Sequence, residues 1–319
     1  MKKEKFRTGR VLLGWINRLY GLGEPKNTFL RKMKHFLPRR VKNVIKGARR
    51  GAIWLMKGLM DIIRFFRVQW PVTMAFGQEW LPNHDIIEID ITYECSLCCF
   101  SCDRICGQAP SEERMSVNQI DKFIKESINR GKRWRQITLL GGEPTMHPDL
   151  SEIVRLLLAY KRDFSPGTTM QLVTNGFSER TRIVLSSLPG EVKIKNSGKR
   201  SSRQEDFDTI TVAPADRIIY RFADYSNGCD ITDKCGMGLN MHGYYPCAPA
   251  GAIDRVLGLD IGRKTLPDDN DKMTDLMKIF CGYCGHFLCF NKINLNYNSR
   301  SWKKAFKKYK SAKPALRLY

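Results

Sequence analysis

The sequence has little negative charge at either end and no long apolar run near its N-terminus. Residues 292–319 contain no acidic residue, and residues 1–80 contain four, against 19 Lys and Arg. Within the helix-like segment 41–68, the longest uncharged run covers residues 51–56, far below the roughly 20 apolar residues of a spanning helix. The N-terminus also lacks the apolar stretch and cleavage site of a secretory signal. A spanning or secreted protein is therefore not expected, and we expect a cytoplasmic one.

Positive charge is concentrated in two segments of the chain. The formal net charge is +22, of which residues 1–80 carry +15 and residues 292–319 carry +9. The middle of the chain is therefore nearly neutral, as in an ordinary globular domain. This distribution predicts four segments: a basic amphipathic helical extension (1–80), a core domain (81–208), a Cys-rich subdomain (209–291) and a basic tail (292–319).

The N-terminal segment alternates basic and apolar residues, and residues 41–68 have the pattern of an amphipathic helix. Its bulky apolar residues could enter a membrane interface while Lys and Arg meet anionic headgroups; they are Trp54, Leu55, Phe65 and Phe66. Peripheral binding to the inner face of a membrane is one interpretation. A helical cap on the core and a surface for a polyanion such as nucleic acid are the alternatives.

From residue 86 onward, strand-like and helix-like segments alternate. Strands are predicted over residues 86–92, 136–140, 170–174 and 192–195, and helices over residues 116–131, 149–162 and 178–188. Such alternation implies a parallel sheet with right-handed crossovers. A closed eight-unit barrel needs more chain than this. The sequence therefore predicts an α/β fold with an open, partial (β/α) barrel, followed after about residue 209 by a loop-rich, Cys-rich subdomain.

The 11 Cys suit metal binding better than disulfides, because their number is odd and they are clustered. Cys95, Cys99 and Cys102 directly follow the first predicted strand, with the spacing Cys-x3-Cys-x2-Cys. Three thiolates on one loop can hold three irons of a 4Fe–4S cluster and leave the fourth iron open. Cys98 and Cys106 permit a rival set, in which Cys95, Cys98, Cys102 and Cys106 bind structural zinc.

Two motifs follow the second and third predicted strands. Gly141-Gly142-Glu143-Pro144 combines two glycines, which let the backbone approach a ligand closely, with an acceptor for a positive group. The second motif, at residues 173–176, ends in Asn175-Gly176, which is also an ordinary turn signal. His147 lies just past the first motif, where it is either a helix-start residue or a general acid or base.

The Cys spacing, its place after the first strand and the two motifs together resemble the radical S-adenosylmethionine (radical SAM) superfamily. The resemblance covers residues 86–197 and departs from the usual pattern in having Ser101 rather than an aromatic residue before the third Cys. It implies an enzyme whose 4Fe–4S cluster reductively cleaves S-adenosylmethionine (SAM) to a 5′-deoxyadenosyl radical, which abstracts hydrogen from a substrate. It also implies a reducing partner such as flavodoxin or ferredoxin.

The same resemblance assigns contacts with SAM. Glu143 and the Gly141–Gly142 backbone, followed by Pro144, would bind the methionine end, and Asn175 would line the pocket. One of Lys195, Asn196 and Ser197 would meet the ribose hydroxyls, and Ser197 represents that position in the predicted site. No residue is assigned a catalytic role.

A second Cys group lies in the C-terminal half, namely Cys229, Cys235, Cys247, Cys281, Cys284 and Cys289. Cys281 and Cys284 form a tight Cys-x2-Cys pair, and residues 241–247 resemble the auxiliary-cluster extensions called SPASM and twitch. This predicts one auxiliary 4Fe–4S cluster, with Cys247, Cys281 and Cys284 as its first ligands and the other three competing for the rest. A structural zinc site with four Cys is the alternative.

Two functions follow from these patterns. The first is a radical SAM enzyme, an oxidoreductase acting on an unidentified substrate: a peptide, or a membrane-proximal sugar or lipid. The second is a non-enzymatic iron–sulfur or zinc protein that binds nucleic acid through its basic ends.

Overall fold

A computed structural model describes residues 39–199, 208–290 and 297–319 of the chain. The chain divides into two compact units, Met1–Val68 and Gln69–Tyr319. The four functional segments expected from the sequence remain predictions.

The described part of the first unit is one long helix, α1, Arg39–Arg67. It coincides with the segment expected to form an amphipathic helix. Five large apolar side chains along it are exposed, and they recur at intervals of three and four residues: Leu55, Leu59, Ile62, Ile63 and Phe66. This spacing places them on one face of the helix. The Trp54 side chain lies outside the described ones, and no helix among the described residues is long and apolar enough to cross a membrane.

The second unit is built on one six-stranded sheet. Its strands are β1 Ile86–Thr92, β2 Gln136–Gly141, β3 Thr169–Thr174, β4 Val192–Asn196, β5 Met237–Asn240 and β6 Gly243–Tyr245. They are arranged in the order β4-β3-β2-β1-β5-β6. All neighbours from β4 to β5 pair in parallel, and β6 pairs antiparallel to β5. An α/β fold with an open, mostly parallel sheet is therefore confirmed.

Eight helices connect and cover these strands in the described part of this unit. They are α2 Trp70–Phe76, α3 Val117–Asn129, α4 Leu150–Asp163, α5 Glu179–Ser186, α6 Asp230–Lys234, α7 Ala248–Leu257, α8 Thr274–Tyr283 and α9 Arg300–Ser311. Short 3-10 turns occur at Pro144–Met146, Pro214–Asp216, Ile218–Tyr220, Tyr225–Asn227 and Gly285–Phe287.

Local sequence explains where the first elements begin and end. The β1 strand, IIEIDIT, is buried along most of its length, as expected for a central parallel strand covered on both faces. Helix α3 begins with a capping box, because the Ser116 side chain accepts from the Gln119 backbone N–H while the Gln119 side chain accepts from that of Ser116. This arrangement satisfies two backbone donors at the helix start.

The sheet continues into the region expected to be loop-rich. Residues 237–240 form β5, which pairs with residues 87–89 of β1. A Cβ on Gly238 would lie 2.5 Å from the Ala248 backbone, so the glycine permits α7 to pack directly on the strand. A four-residue strand that includes such a glycine has too little periodicity to be recognised from sequence.

Candidate active site at the carboxyl ends of the parallel strands

The predicted cluster loop, residues 93–106, leaves the carboxyl end of β1. The motifs at residues 141–144 and 173–176 leave the neighbouring strands β2 and β3 at the same edge of the sheet. In open α/β sheets this edge is where ligands bind. The topology therefore brings together three segments that the sequence analysis singled out separately.

Cys95, Cys99 and Cys102 lie close enough on this loop to influence one another. Burial, together with a smaller effect of Cys102, raises the pKa of the Cys95 thiol to about 11. Burial also raises the pKa of Cys99, an effect that the Lys199 ammonium partly offsets. Lys199 Nζ lies 3.7 Å from Cys99 Sγ. A cation at this distance favours a thiolate.

The two additional cysteines of the loop differ from each other. The Cys106 thiol is buried and donates a hydrogen bond to the Arg104 carbonyl oxygen at 3.7 Å. Interaction with the Cys106 side chain is the largest of the effects that together lower the pKa of Cys102 to about 6, against the effect of burial. Cys98 is exposed. The rival zinc set requires both Cys98 and Cys106, and only Cys106 lies in the interior beside Cys102.

Arg104 anchors the cluster loop to β1. Its guanidinium donates to Glu88 at 2.7 Å and to Asp90 at 3.0 Å, and the Arg104 side chain is almost fully buried. Glu88 and Asp90 occupy alternate positions of β1, so their side chains point to the same face of the sheet. The loop is thereby held by two ion pairs at a residue that lies two positions after the last of its three predicted ligands.

The two motif glycines allow β2 to end directly against the cluster loop. A Cβ on Gly141 would lie 2.1 Å from the Thr92 carbonyl oxygen, and one on Gly142 would lie 2.2 Å from the Glu94 carbonyl oxygen. The Gly142 and Glu143 amides donate to these same two carbonyls, each at 2.8 Å. The sequence analysis expected these glycines to let the backbone approach a ligand. In the structure the group that they approach is the backbone that precedes Cys95, and an approach to a ligand remains a prediction.

The Glu143 side chain is completely buried and its carboxylate accepts hydrogen bonds from both neighbouring strand ends. Oε1 accepts from the Thr145 amide at 3.2 Å, the Thr145 hydroxyl at 2.7 Å and the Thr174 hydroxyl at 2.8 Å. Oε2 accepts from the Asn175 amide at 2.8 Å. Glu143 thus joins the turn after β2 to the end of β3, and its contact with the methionine end of SAM remains a prediction.

Asn175 connects the end of β3 to the cluster loop. Its side-chain amide donates to Ser96 Oγ at 3.3 Å and lies 3.9 Å from Cys95 Sγ. The buried Asn175 side chain therefore lies beside the cluster loop, and its contact with SAM remains a prediction.

The residues expected near the ribose extend from the end of β4. Ser197 is exposed, and its hydroxyl and amide both donate to the Thr174 carbonyl, at 2.8 Å and 2.9 Å. Lys195 and Asn196 are exposed too, and the Asn196 side chain accepts from the Gly198 amide at 2.7 Å. The choice among the three stays open.

His147 has both ring nitrogens engaged. Nδ1 accepts from the Asp149 amide at 3.0 Å, which leaves Nε2 to donate to the Met115 carbonyl at 2.9 Å. Burial lowers the pKa of the ring, consistent with the neutral form that this pattern requires. These contacts, just before α4, support the interpretation of His147 as a helix-start residue.

Four of the six C-terminal cysteines line one cavity, namely Cys229, Cys247, Cys281 and Cys284. Burial raises the pKa of Cys247 and Cys284 well above the ordinary value, and the neighbouring thiols raise it further. The other two cysteines are not among the residues that line this cavity. Burial and the Glu88 carboxylate raise the pKa of Cys235, and the Cys289 amide donates to the Tyr220 hydroxyl.

His286 connects this cavity to the cluster loop, a link that the sequence analysis missed. His286 lines the same cavity. Its Nε2 lies 3.0 Å from Oδ1 of Asp103, the residue that directly follows Cys102 in the cluster loop. Burial opposes the charged forms, yet the pair lowers the pKa of Asp103 and raises that of His286. No local signal reveals this contact, because the two residues are 183 positions apart.

The donor sets fit iron–sulfur clusters. Thiols are the ligands that hold such clusters, and the structure provides three of them on one loop and four around one cavity. In the described parts of the chain, no three His, Cys, Asp or Glu side chains form a site for a single metal ion.

Residues 89–186 match the family model described as the radical SAM superfamily. Residues 89–186 are therefore a radical SAM domain. The resemblance seen in the sequence is therefore confirmed, whereas the SPASM-like character of the C-terminal region remains a prediction.

Curated relatives match this chain over part of its length. A probable GTP 3′,8-cyclase of Pyrococcus horikoshii is 35% identical over 109 residues, which are 32% of this chain and 34% of that protein. The GTP 3′,8-cyclase of Aliarcobacter butzleri is 32% identical over 173 residues, 53% of this chain and 48% of that protein. The chain thus spans about a third to a half of the relatives' length.

Among solved structures, a crystal structure of BtrN in complex with AdoMet and 2-DOIA aligns with 67% of this chain and 98% of that chain. The TM-score is 0.38 and the sequence identity is 15%, which is too low to transfer the role of any residue.

Proposed function

We propose that this radical SAM chain is an enzyme that holds a 4Fe–4S cluster on Cys95, Cys99 and Cys102 and binds SAM beside it. The observation that carries the proposal is that the loop bearing the three thiols meets the ends of β2 and β3, where the Asn175 side-chain amide lies 3.9 Å from Cys95 Sγ. Lys199 adds a cation 3.7 Å from Cys99 Sγ. When bound and reduced, such a cluster supplies the electron that cleaves SAM.

The residues of this chain position that chemistry. Lys199 favours the Cys99 thiolate that metal binding requires, and Arg104 fixes the loop that carries the ligands. The Glu143 carboxylate holds the turn after β2 against the end of β3, and so places Asn175 beside the loop. Polar groups on rigid strand ends provide the fixed surroundings that a reactive cofactor needs.

Two neighbouring cysteines provide a matched test of the ligand set. After anaerobic reconstitution, Cys99→Ser is expected to lose most of the iron of this site and the reductive release of 5′-deoxyadenosine from SAM. Cys98→Ser, at the exposed position one residue earlier, should retain both. Release by the Cys99 variant at the wild-type rate would refute the assignment.

The zinc alternative makes a different prediction for the same loop. If Cys95, Cys98, Cys102 and Cys106 held zinc, Cys98→Ser and Cys106→Ser would each lose metal and Cys99→Ser would not. Protein that binds zinc in this pattern and releases no 5′-deoxyadenosine would support the non-enzymatic, nucleic-acid-binding alternative.

We further propose that Cys229, Cys247, Cys281 and Cys284 hold an auxiliary 4Fe–4S cluster. Their placement around one cavity supports this choice among the six cysteines. Four thiolates occupy all four irons, so such a cluster would exchange electrons and would bind no substrate directly. In a protein lacking Cys95, Cys99 and Cys102, Cys281→Ser should remove the remaining iron and Cys289→Ser should not. Retention of zinc and no iron would indicate the structural zinc site instead.

The substrate is proposed only by class. The relatives are described as GTP 3′,8-cyclases, but the shared part is too short to carry their substrate to this chain. GTP, a peptide, and a membrane-proximal sugar or lipid are therefore the classes to test. A substrate should accelerate 5′-deoxyadenosine release and be consumed with it, in the presence of a flavodoxin or ferredoxin as reductant.

A further inference from the structure

A patch of exposed apolar side chains lies on the second unit, and none of them lines the cysteine cavity. It forms where the start of α2 meets residues 218–223: the Trp70 amide donates to the Phe222 carbonyl at 2.9 Å, and Gln69 and Ala223 form an antiparallel bridge. We call this surface the apolar patch; it consists of Trp70, Met74, Phe76, Ile218, Ile219 and Phe222.

The backbone around the apolar patch is well held, so the exposure is a property of the fold. Thr73 faces the interior of the unit and its hydroxyl accepts from the Asn227 side chain at 2.6 Å. Trp70 and Met74, one helical turn apart, project from α2 beside this inward position. The exposed fractions are 58% for Trp70, 84% for Ile218 and 70% for Phe222. Large apolar side chains exposed together on two adjoining segments mark an interaction site.

A strongly basic helix adjoins the same segment. Helix α9, RSWKKAFKKYKS, contains no acidic residue. Its apolar residues Trp302, Phe306 and Tyr309 are buried, and its lysines are exposed. We call Lys303, Lys304, Lys307 and Lys308 the basic face.

Hydrogen bonds fix the start of α9 against the segment that carries the apolar patch. The Ser301 amide and hydroxyl donate to the Asp216 carboxylate at 2.8 Å and 2.6 Å. Arg217 donates to the Tyr297 hydroxyl at 3.1 Å. The basic face therefore begins two residues from a rigid connection to the patch segment.

The acidic residues beside the patch are already bonded, and further basic groups are present. Asp216 is held by Ser301, and Asp224 accepts from the Ser226 amide and hydroxyl at 3.0 Å and 2.7 Å. Arg221 is exposed and lies 5.8 Å from the Phe222 ring centre. The surface thus combines aromatic and aliphatic side chains with a surplus of positive charge.

We propose that the apolar patch and the basic face form a binding surface for an anionic lipid bilayer. Trp, Phe and Ile enter the boundary between headgroups and acyl chains, while lysines meet the negative surface potential of the leaflet. No residue of this surface belongs to either cysteine site, so the proposal stands independently of the proposed enzyme activity.

Helix α1 of the first unit, considered by itself, carries the same pairing. Its exposed apolar stripe, Leu55 to Phe66, lies on a helix with nine Lys and Arg and one acidic residue. Interfacial helices have this composition. The chain therefore presents the chemistry of lipid binding in both of its units.

The first experiment is co-sedimentation of the full chain with vesicles. We expect the chain to bind phosphatidylcholine vesicles that contain phosphatidylglycerol and to bind vesicles of phosphatidylcholine alone much more weakly. Binding should decrease as the salt concentration rises, because salt screens the charges. Each lysine that meets the surface should contribute roughly fivefold to the partition coefficient. The triple variant Lys304→Gln, Lys307→Gln, Lys308→Gln should therefore bind on the order of 100-fold more weakly.

Matched variants separate the surface from general charge and hydrophobicity. Lys125→Gln, Lys161→Gln and Lys193→Gln remove the same charge from α3, α4 and β4 and should weaken binding far less. Ile218→Ser should lower binding about tenfold, whereas Ile183→Ser, at a residue 62% exposed on α5, should leave it unchanged. Since all these side chains are exposed or at the surface, the variants should fold.

Three results would overturn the proposal. The first is equal binding to vesicles with and without phosphatidylglycerol, and the second is unchanged binding by both the lysine triple variant and Ile218→Ser. The third is a wild-type dimer in solution that Ile218→Ser dissociates without any effect on vesicle binding, which would assign the apolar patch to a second copy of the chain.

Discussion

The bond between Thr174 and Glu143 offers a quantitative test of how the predicted SAM motif is held together. Thr174→Val keeps the shape of a buried side chain and removes the hydroxyl that donates to Glu143 Oε1 at 2.8 Å. The same hydroxyl accepts from the Gly176 amide at 3.1 Å, so the variant also leaves that amide without its partner.

The expected loss follows from the number and kind of bonds. A hydrogen bond to a charged group contributes about 1.5–3 kcal/mol, and an unsatisfied buried donor costs about 1–3 kcal/mol. We therefore expect Thr174→Val to lower the free energy of unfolding by about 2–3 kcal/mol. Glu143→Ala removes the acceptor of four hydrogen bonds and should lower it by about 4 kcal/mol.

A double-mutant cycle isolates the pair. If the two side chains interact as the structure shows, the double variant should lose about 1–2 kcal/mol less than the sum of the single losses. The measurement is anaerobic urea unfolding followed by tryptophan fluorescence, because Trp134 and Trp302 are buried in the same unit. Binding of SAM to each folded variant can then be measured separately from stability.

Thr168→Val is the matched control for this cycle. Thr168 is also buried, but its hydroxyl donates to the neutral Trp134 carbonyl at 2.7 Å. Its loss should add to that of Glu143→Ala within about 0.5 kcal/mol. The reasoning is refuted if the stability losses of Thr174→Val and Glu143→Ala also add within this margin. That result would mean that the Glu143 carboxylate and the Thr174 hydroxyl at the end of β3 do not interact.

Two further predictions concern other parts of the second unit. Gly142→Ala should prevent β2 from ending against the cluster loop, because the added Cβ would lie 2.2 Å from the Glu94 carbonyl oxygen. We expect this variant to have a low iron content and a lowered melting temperature, and wild-type values of both would contradict the prediction. Burial opposes ionisation of Asp260, yet bonds from Lys264 and Arg317 lower its pKa to about 2. The ionised Asp260 therefore stabilises the fold above about pH 4, and this stabilisation is lost as the pH falls toward 2. After allowance for partial exposure, Asp260→Asn should lower the free energy of unfolding by about 1–2 kcal/mol at pH 7 and by little at pH 2. A pH-independent difference in urea unfolding would show that the charge is not the cause.

The sequence by itself determined the elements whose signals are local. The alternation of residues 86–92 predicted β1 at its observed bounds, and the spacing of apolar residues predicted α3 and α4 to within two residues. The three-Cys loop and the glycine motif were recognisable because each is a short segment with fixed spacing. Helix, strand and loop preferences act over a few residues, so a single segment is enough to reveal them.

Only the tertiary structure decided which distant residues meet. The fold groups Cys229, Cys247, Cys281 and Cys284 around one cavity, although they lie in three separate parts of the sequence. The donors to Glu143 come from β3 as well as from its own turn, and His286 reaches Asp103 across 183 positions. These contacts are set by strand order and crossover direction, which pair segments irrespective of their separation along the chain. Spacing along the sequence could therefore identify cysteines as the candidate ligands, whereas which cysteines lie together could be seen only in the fold.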